Sequence, residues 1–221
     1  MPDNGRLTTT SYALLGWLAV RPWSTYELAK QMRANLSLFW PRAESRLYEE
    51  PKNLVALGLA AVERTYLGRR PRTVYRITQA GRRALAEWQS RPSAPPSLEF
   101  EGLVRLYFAA SATPTEMLTA IESARAHAEA IFAAGGPVME SYLTGQHPFP
   151  ERAQFSGFIA DFLWSFAELL WEWAERSAAE VAAWQDTSSD EEKQARAHAI
   201  FRDCLERLQR RHGRPGTLPR R

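Results

Sequence analysis

The sequence predicts a mainly α-helical chain: an N-terminal winged helix-turn-helix domain followed by an α-helical dimerisation domain. Three observations predict it. Residues 1–92 read in the order helix, helix, helix, strand, turn, strand, helix, which is the winged helix-turn-helix order. "RPSAPPS", Arg91–Ser97, has three prolines in seven residues and breaks the chain. Beyond it, apolar residues recur at 4-3-4-3 spacing, close to the seam of packed helices. The expected domains are therefore 1–92 and 93–221.

The first helix is expected over Thr9–Val20, with apolar Leu14, Leu15, Trp17 and Leu18, and "RPW" stops it. Ser24 and Glu27 form an S-x-x-E capping box, so a second helix is expected over about Thr25–Asn35. "FWPRAESRLYEEPKNLVALG" predicts a third helix, with Pro41 at its first position and Gly58 as its stop. Pro51 lies inside it and lacks the N–H that would bond to Leu47, so a kink or split is expected. Val62–Tyr66 and Thr73–Thr78 read as strands, and Thr78 as the cap of a fourth helix through about Ser90.

Downstream, Thr113 and Glu116 form a second capping box with Pro114 at the first helical position. The helix they open carries Met117, Ile121, Ala124, Ala128 and Ile131, and "GGP" is expected to end it. A long helix after about Pro150 carries the stripe Phe155, Ile159, Phe162, Phe166, Leu169 and Trp173. A last helix, capped by Ser189 with Glu192, carries Ala197, Phe201, Cys204 and Leu208. Cys204 is expected in the core.

Charge divides the chain at the proline-rich stretch. Residues 1–92 hold 15 Lys and Arg against 7 Asp and Glu, or +8; residues 93–221 hold 13 against 18, or −5. The first part can meet a polyanion, and the second cannot readily do so. No apolar run is long enough to span a membrane, and the first ten residues have no apolar signal-peptide core. A single cysteine excludes an internal disulfide framework. A cytoplasmic protein is expected.

Candidate contact residues follow from these elements. The third helix sets Arg42, Ser45, Glu49, Lys52 and Asn53 opposite its apolar face, with Arg46 and Tyr48 on the flanks. These guanidinium, hydroxyl and ammonium groups can donate to phosphates or base edges, and Glu49 can accept from a cytosine amine. Ser24 joins them at the start of the second helix. Arg69, Arg70 and Arg72 crowd the hairpin tip around Pro71. Three like charges there are unfavourable alone and favourable against a phosphate backbone or a narrow minor groove.

From about Leu7 to Gln89 the chain resembles the N-terminal domain of the PadR family of bacterial transcriptional regulators. The stretches that carry the resemblance are "SYALLGWLAVRPWSTYELAKQM", "RLYEEPKNLVALGLAAVE" and "GRRPRTVYRITQAGRRALAEW". Tyr48 matches the tyrosine of the family's recognition helix, and Tyr75–Thr78 with Gly81 match its "YRIT..G". Pro51 departs from the common pattern. The acidic helical remainder resembles the longer C-terminal domain of one branch of the family. The resemblance implies double-stranded DNA as partner, a homodimer joined through the C-terminal helices, and a small aromatic effector.

Trp164 and Trp171 lie seven residues apart and form a second apolar face beside the Phe155–Trp173 stripe. The stripe is the candidate dimer interface, and the two tryptophans are the candidate ligand pocket. His127, His147, His198 and His212 show no metal-ligand spacing. No P-loop, dinucleotide fingerprint, H-E-x-x-H or nucleophile elbow is present, so neither enzyme nor cofactor is expected. The expected function is a DNA-binding transcriptional regulator, a repressor on an inverted-repeat operator. The alternative is a winged helix acting as a protein–protein adaptor.

Overall fold

The computed structural model describes residues 7–41, 43–67 and 70–212. The chain divides into two compact units, Met1–Ser97 and Leu98–Arg221. The first holds α1 (Thr9–Val20), α2 (Thr25–Leu36), α3 (Glu44–Ala56), β1 (Ala60–Leu67), β2 (Arg70–Ile77) and α4 (Gln79–Gln89). The second holds α5 (Glu101–Tyr107), α6 (Pro114–Leu143), α7 (Ala153–Ala182) and α8 (Glu191–His212), with short 3-10 turns at Ala109–Ser111 and Pro150–Arg152.

The first unit closes around one core. Leu14, Leu15, Leu18, Leu28, Met32, Leu47, Leu54, Val74 and Ile77 are buried. Trp23 is buried with them, edge-on to Trp17 at 6.1 Å, and its indole N–H donates to the Trp17 carbonyl at 2.8 Å. Burying that aromatic surface is favourable only because its one donor is satisfied. β1 and β2 pair antiparallel, with Val62 opposite Tyr75 and Thr65 opposite Arg72. Trp23 and Tyr75 also exchange two backbone hydrogen bonds, at 3.1 and 2.8 Å, which fastens β2 to the entry of α2.

Two glycines are required by geometry. Gly58 follows α3 with φ +69°, a conformation that a side chain disfavours. At Gly81 a Cβ would collide with the Leu59 carbonyl oxygen, so α4 can approach the entry of β1 only without one. Thr78 completes this corner: its hydroxyl donates to the Gly58 carbonyl at 2.7 Å and accepts from the Gly81 N–H.

Pro51 does not split α3. The helix is continuous over Glu44–Ala56, and the proline is fully buried. Its burial offsets the missing hydrogen bond to Leu47. Pro41 is not the first helical residue; α3 starts at Glu44, after Ala43. Trp40 precedes a proline and is disfavoured from helical backbone, and its indole N–H reaches the Thr10 hydroxyl at 3.4 Å.

In the second unit α6 and α7 make the main packed pair. Ile121, Ala124, Ala128 and Ile131 from α6 are buried, with Ala167, Ala174 and Val181, spaced by seven, from α7. "GGP" does not end α6: Gly135, Gly136 and Pro137 lie inside it, and it runs to Leu143. A glycine costs about 1 kcal/mol in a helix, which packing along a 30-residue helix outweighs. Asp190, rather than Ser189, caps α8, its carboxylate accepting the Lys193 N–H at 2.8 Å. Cys204 is exposed rather than in a core, since residues 198–211 of α8 are all exposed.

Candidate nucleic-acid interface

α3 presents one apolar and one polar side. Leu47, Pro51 and Leu54 face the core, while Ser45, Arg46, Glu49 and Lys52 are exposed and Tyr48 is half-buried. Glu49 and Lys52 pair with each other at 3.1 Å. An exposed pair of this kind contributes little to stability and leaves both groups available. Arg42 lies outside the described residues.

The buried edge of α3 is anchored by a residue that periodicity alone does not single out. The hydroxyl of Ser11, fully buried in α1, donates to Glu50 Oε1 at 2.5 Å. Asn53 Nδ2 donates to the same oxygen at 3.3 Å. Ser11 also joins Thr8 in the capping box of α1. One carboxylate therefore ties the start of α1 to the middle of α3 and fixes how α3 turns its polar side outward. The pattern of exposed charges groups Glu50 with Glu49 and does not separate their roles.

Ser24 caps α2. Its hydroxyl accepts the Glu27 N–H at 3.3 Å, and Glu27 accepts in return from the Ser24 backbone N–H at 2.9 Å and from its hydroxyl at 2.8 Å. Arg72 of β2 adds its guanidinium to the same Glu27 oxygen. Burial pushes the Glu27 carboxyl up. Hydrogen bonds from the Ser24 N–H, Arg72 and the Ser24 hydroxyl, with the charge of Arg72, outweigh burial and hold the carboxyl below the usual glutamate range. Of the other tip arginines, Arg69 lies outside the described residues. Arg70 opens β2 opposite Leu67, and its side chain is likewise outside them. Arg76 pairs with Glu63 across the hairpin, through Nε at 3.1 Å and a terminal nitrogen at 2.7 Å.

The second unit is marked by apolar exposure. On α7, Phe155, Ile159, Phe162 and Leu169 stand exposed, and Phe166 and Trp173 are half-buried. Phe158, outside the 4-3-4-3 stripe, is the most exposed of this group at 79%. On α8, Ile200, Phe201, Leu205 and Leu208 are exposed. The Trp164 and Trp171 rings lie 4.6 and 6.3 Å from Phe132 of α6, and Arg125 sits over Trp171 at 5.6 Å. They do not line the open cleft of about 300 Å³ formed by Leu98, Phe100, Ser123, His127, Phe166 and Leu170. Among the described residues, no group of three or more His, Cys, Asp and Glu side chains could hold a metal ion. No helix among them is long and apolar enough to cross a membrane.

Residues 14–87 match the transcriptional regulator PadR-like family. The chain is 28% identical over 99 residues to the negative transcriptional regulator PadR of Bacillus subtilis (strain 168). That match covers 44% of this chain and 54% of PadR, so the chain spans about half the length of this curated relative. Its fold is similar to that of Bacillus subtilis PadR in complex with operator DNA, with a TM-score of 0.65 and 21% identity, covering 79% of this chain and 99% of that one. It is also similar to Bacillus subtilis PadR in complex with p-coumaric acid, with a TM-score of 0.61 and 20% identity, covering 79% and 96%. At these identities the structural likeness is one of fold.

Proposed function

From the match of residues 14–87 to the transcriptional regulator PadR-like family, we propose that this chain is a regulator of that family, a homodimeric repressor that binds an inverted-repeat operator. Its family consists of regulators, not enzymes. The observation that carries the reading is the exposed polar side of α3 beside an arginine-bearing hairpin. In this reading α3 enters the major groove. Arg46 and Ser45 address base edges or phosphates, with Tyr48, Glu49 and Lys52 along the same helix and Arg42 preceding it in sequence. The hairpin, with Arg69, Arg70 and Arg72, lies against the flanking backbone or minor groove. The bound operator DNA of the similar PadR structure supports duplex DNA as the partner.

One winged helix makes a small DNA interface, and a long operator needs two. The exposed side chains Phe155, Phe158, Ile159, Phe162 and Leu169 of α7 support a second copy as the partner of the helical unit, with half-buried Phe166 and Trp173 completing the stripe. A small planar aromatic effector is the third partner. The p-coumaric acid complex of the similar PadR structure supports it, with the cleft beside His127 or the Trp164 and Trp171 face as its place.

Selection of bound duplexes from a random pool tests the reading. Enrichment of a palindromic site, bound more tightly than a scrambled duplex, is expected. Equal binding to enriched and scrambled duplexes at all salt concentrations would contradict it.

A further inference from the structure

The carboxylate of Glu27 gathers donors from two elements onto one oxygen. Oε2 accepts from the Ser24 N–H, the Ser24 hydroxyl and the Arg72 guanidinium. The first two belong to the start of α2, and the third to β2. The ion-paired side chains are only 32% exposed for Arg72 and 29% for Glu27.

This tie sits toward the hairpin tip from another. Tyr75 of β2 exchanges backbone hydrogen bonds with Trp23. Arg72 lies three residues nearer the tip, about 10 Å along the strand. A two-stranded hairpin is marginal in water by itself, so a tie to α2 beyond the Trp23–Tyr75 backbone bonds adds restraint to β2. Glu27 supplies that restraint. A guanidinium already matched by a carboxylate also has less to offer a phosphate, because it must first give up its partner.

We propose that Arg72 and Glu27 form a strut that sets the angle of the hairpin to α2, so that Arg72 serves DNA binding by positioning the hairpin rather than by touching phosphate. The inference rests on the DNA-binding reading above and narrows it: Arg72 leaves the set of phosphate contacts. Both members of the strut are positioning residues, and Glu27 is as necessary as Arg72.

The test uses the full chain and the duplex enriched by selection. The variants are Arg72→Gln, Glu27→Gln and the double variant; glutamine at position 27 can still close the capping box. Each single variant is expected to weaken operator binding about two- to fivefold, as for a surface ion pair. The double variant is expected to match either single one, because the two residues act as a unit. The slope of log K against log salt is expected to stay unchanged in all three. A slope reduced in magnitude by about 0.9 in Arg72→Gln would overturn the proposal, since a change of that size means that Arg72 itself neutralises a phosphate. So would Glu27→Gln binding as tightly as wild type, or effects that add in the double variant.

A second measurement needs no DNA. Amide exchange at the tip ends of β1 and β2 is expected to quicken in both single variants. Unchanged exchange would overturn the strut even if the protein binds DNA. If the wild-type chain binds no duplex, the DNA-binding reading fails, and amide exchange still decides whether the pair restrains the hairpin.

Discussion

The two units of the chain solve the burial of apolar surface differently. In the first unit nearly every large apolar residue of α1–α3 that faces inward is covered, and Trp23 satisfies its indole N–H within the core. In the second, α6 and α7 bury alanines with Ile121, Ile131 and Val181, while α7 and α8 leave phenylalanines and leucines exposed. Isolated exposed apolar residues are normal, but a run along one helix marks a surface that meets something. The first unit keeps the polar side of α3 exposed outside its closed core. The second leaves an apolar run on α7 and α8 exposed among the described residues.

The largest expected effect breaks this difference at α7. Phe158→Ser with Phe162→Ser removes the most exposed part of the run. Light scattering should show the proposed dimer become a monomer, with little change in the fold of either unit. Operator binding should fall about a hundredfold, because the second DNA-binding unit no longer acts at high effective concentration.

A smaller effect is expected in the first unit, where the same kind of change meets a closed core. Gly81→Ala places a Cβ against the Leu59 carbonyl oxygen and the Ile77 side chain. Unfolding stability is expected to fall by about 1–3 kcal/mol, as for other overpacked sites. Denaturant unfolding measures it. The proposed dimer should persist, since Gly81 lies in the other unit.

The smallest effect is a pH dependence at the corner that holds α2 to the hairpin. The folded protein holds the Glu27 carboxyl below its ordinary range. Its contribution is therefore full above the unfolded pKa and fades as pH falls through the lower folded value. Glu27→Gln should be less stable than wild type at neutral pH, and the gap should close on acidification. Thermal unfolding across that range checks the direction.

How much of this was legible depended on whether the partners were near in sequence. The capping boxes of Ser24 with Glu27 and Thr113 with Glu116 need residues three apart, and both form. The exposure of Ser45, Glu49 and Lys52 followed from helical periodicity, which set the exposed Arg46 on a flank and the half-buried Asn53 on the polar face. Arg72 meeting Glu27 spans 45 positions, and Ser11 meeting Glu50 spans 39. No local rule brings such pairs together. The "GGP" stretch misleads because propensity is a weak signal inside a long packed helix. Cys204 misleads in the opposite way: the apolar stripe of α8 is real, yet residue 204 stands exposed among the described residues.

Whether the polar side of α3 reads DNA sequence decides the function of the whole molecule. Competition binding of Arg46→Ala, with the enriched duplex against a scrambled one, puts the question to a single side chain. Arg46 is exposed on α3 beside Ser45 and Glu49. Binding to the enriched duplex is expected to weaken by about 1–3 kcal/mol more than binding to the scrambled one, the worth of one good base interaction. Equal weakening on both duplexes, or none on either, would contradict sequence reading by α3.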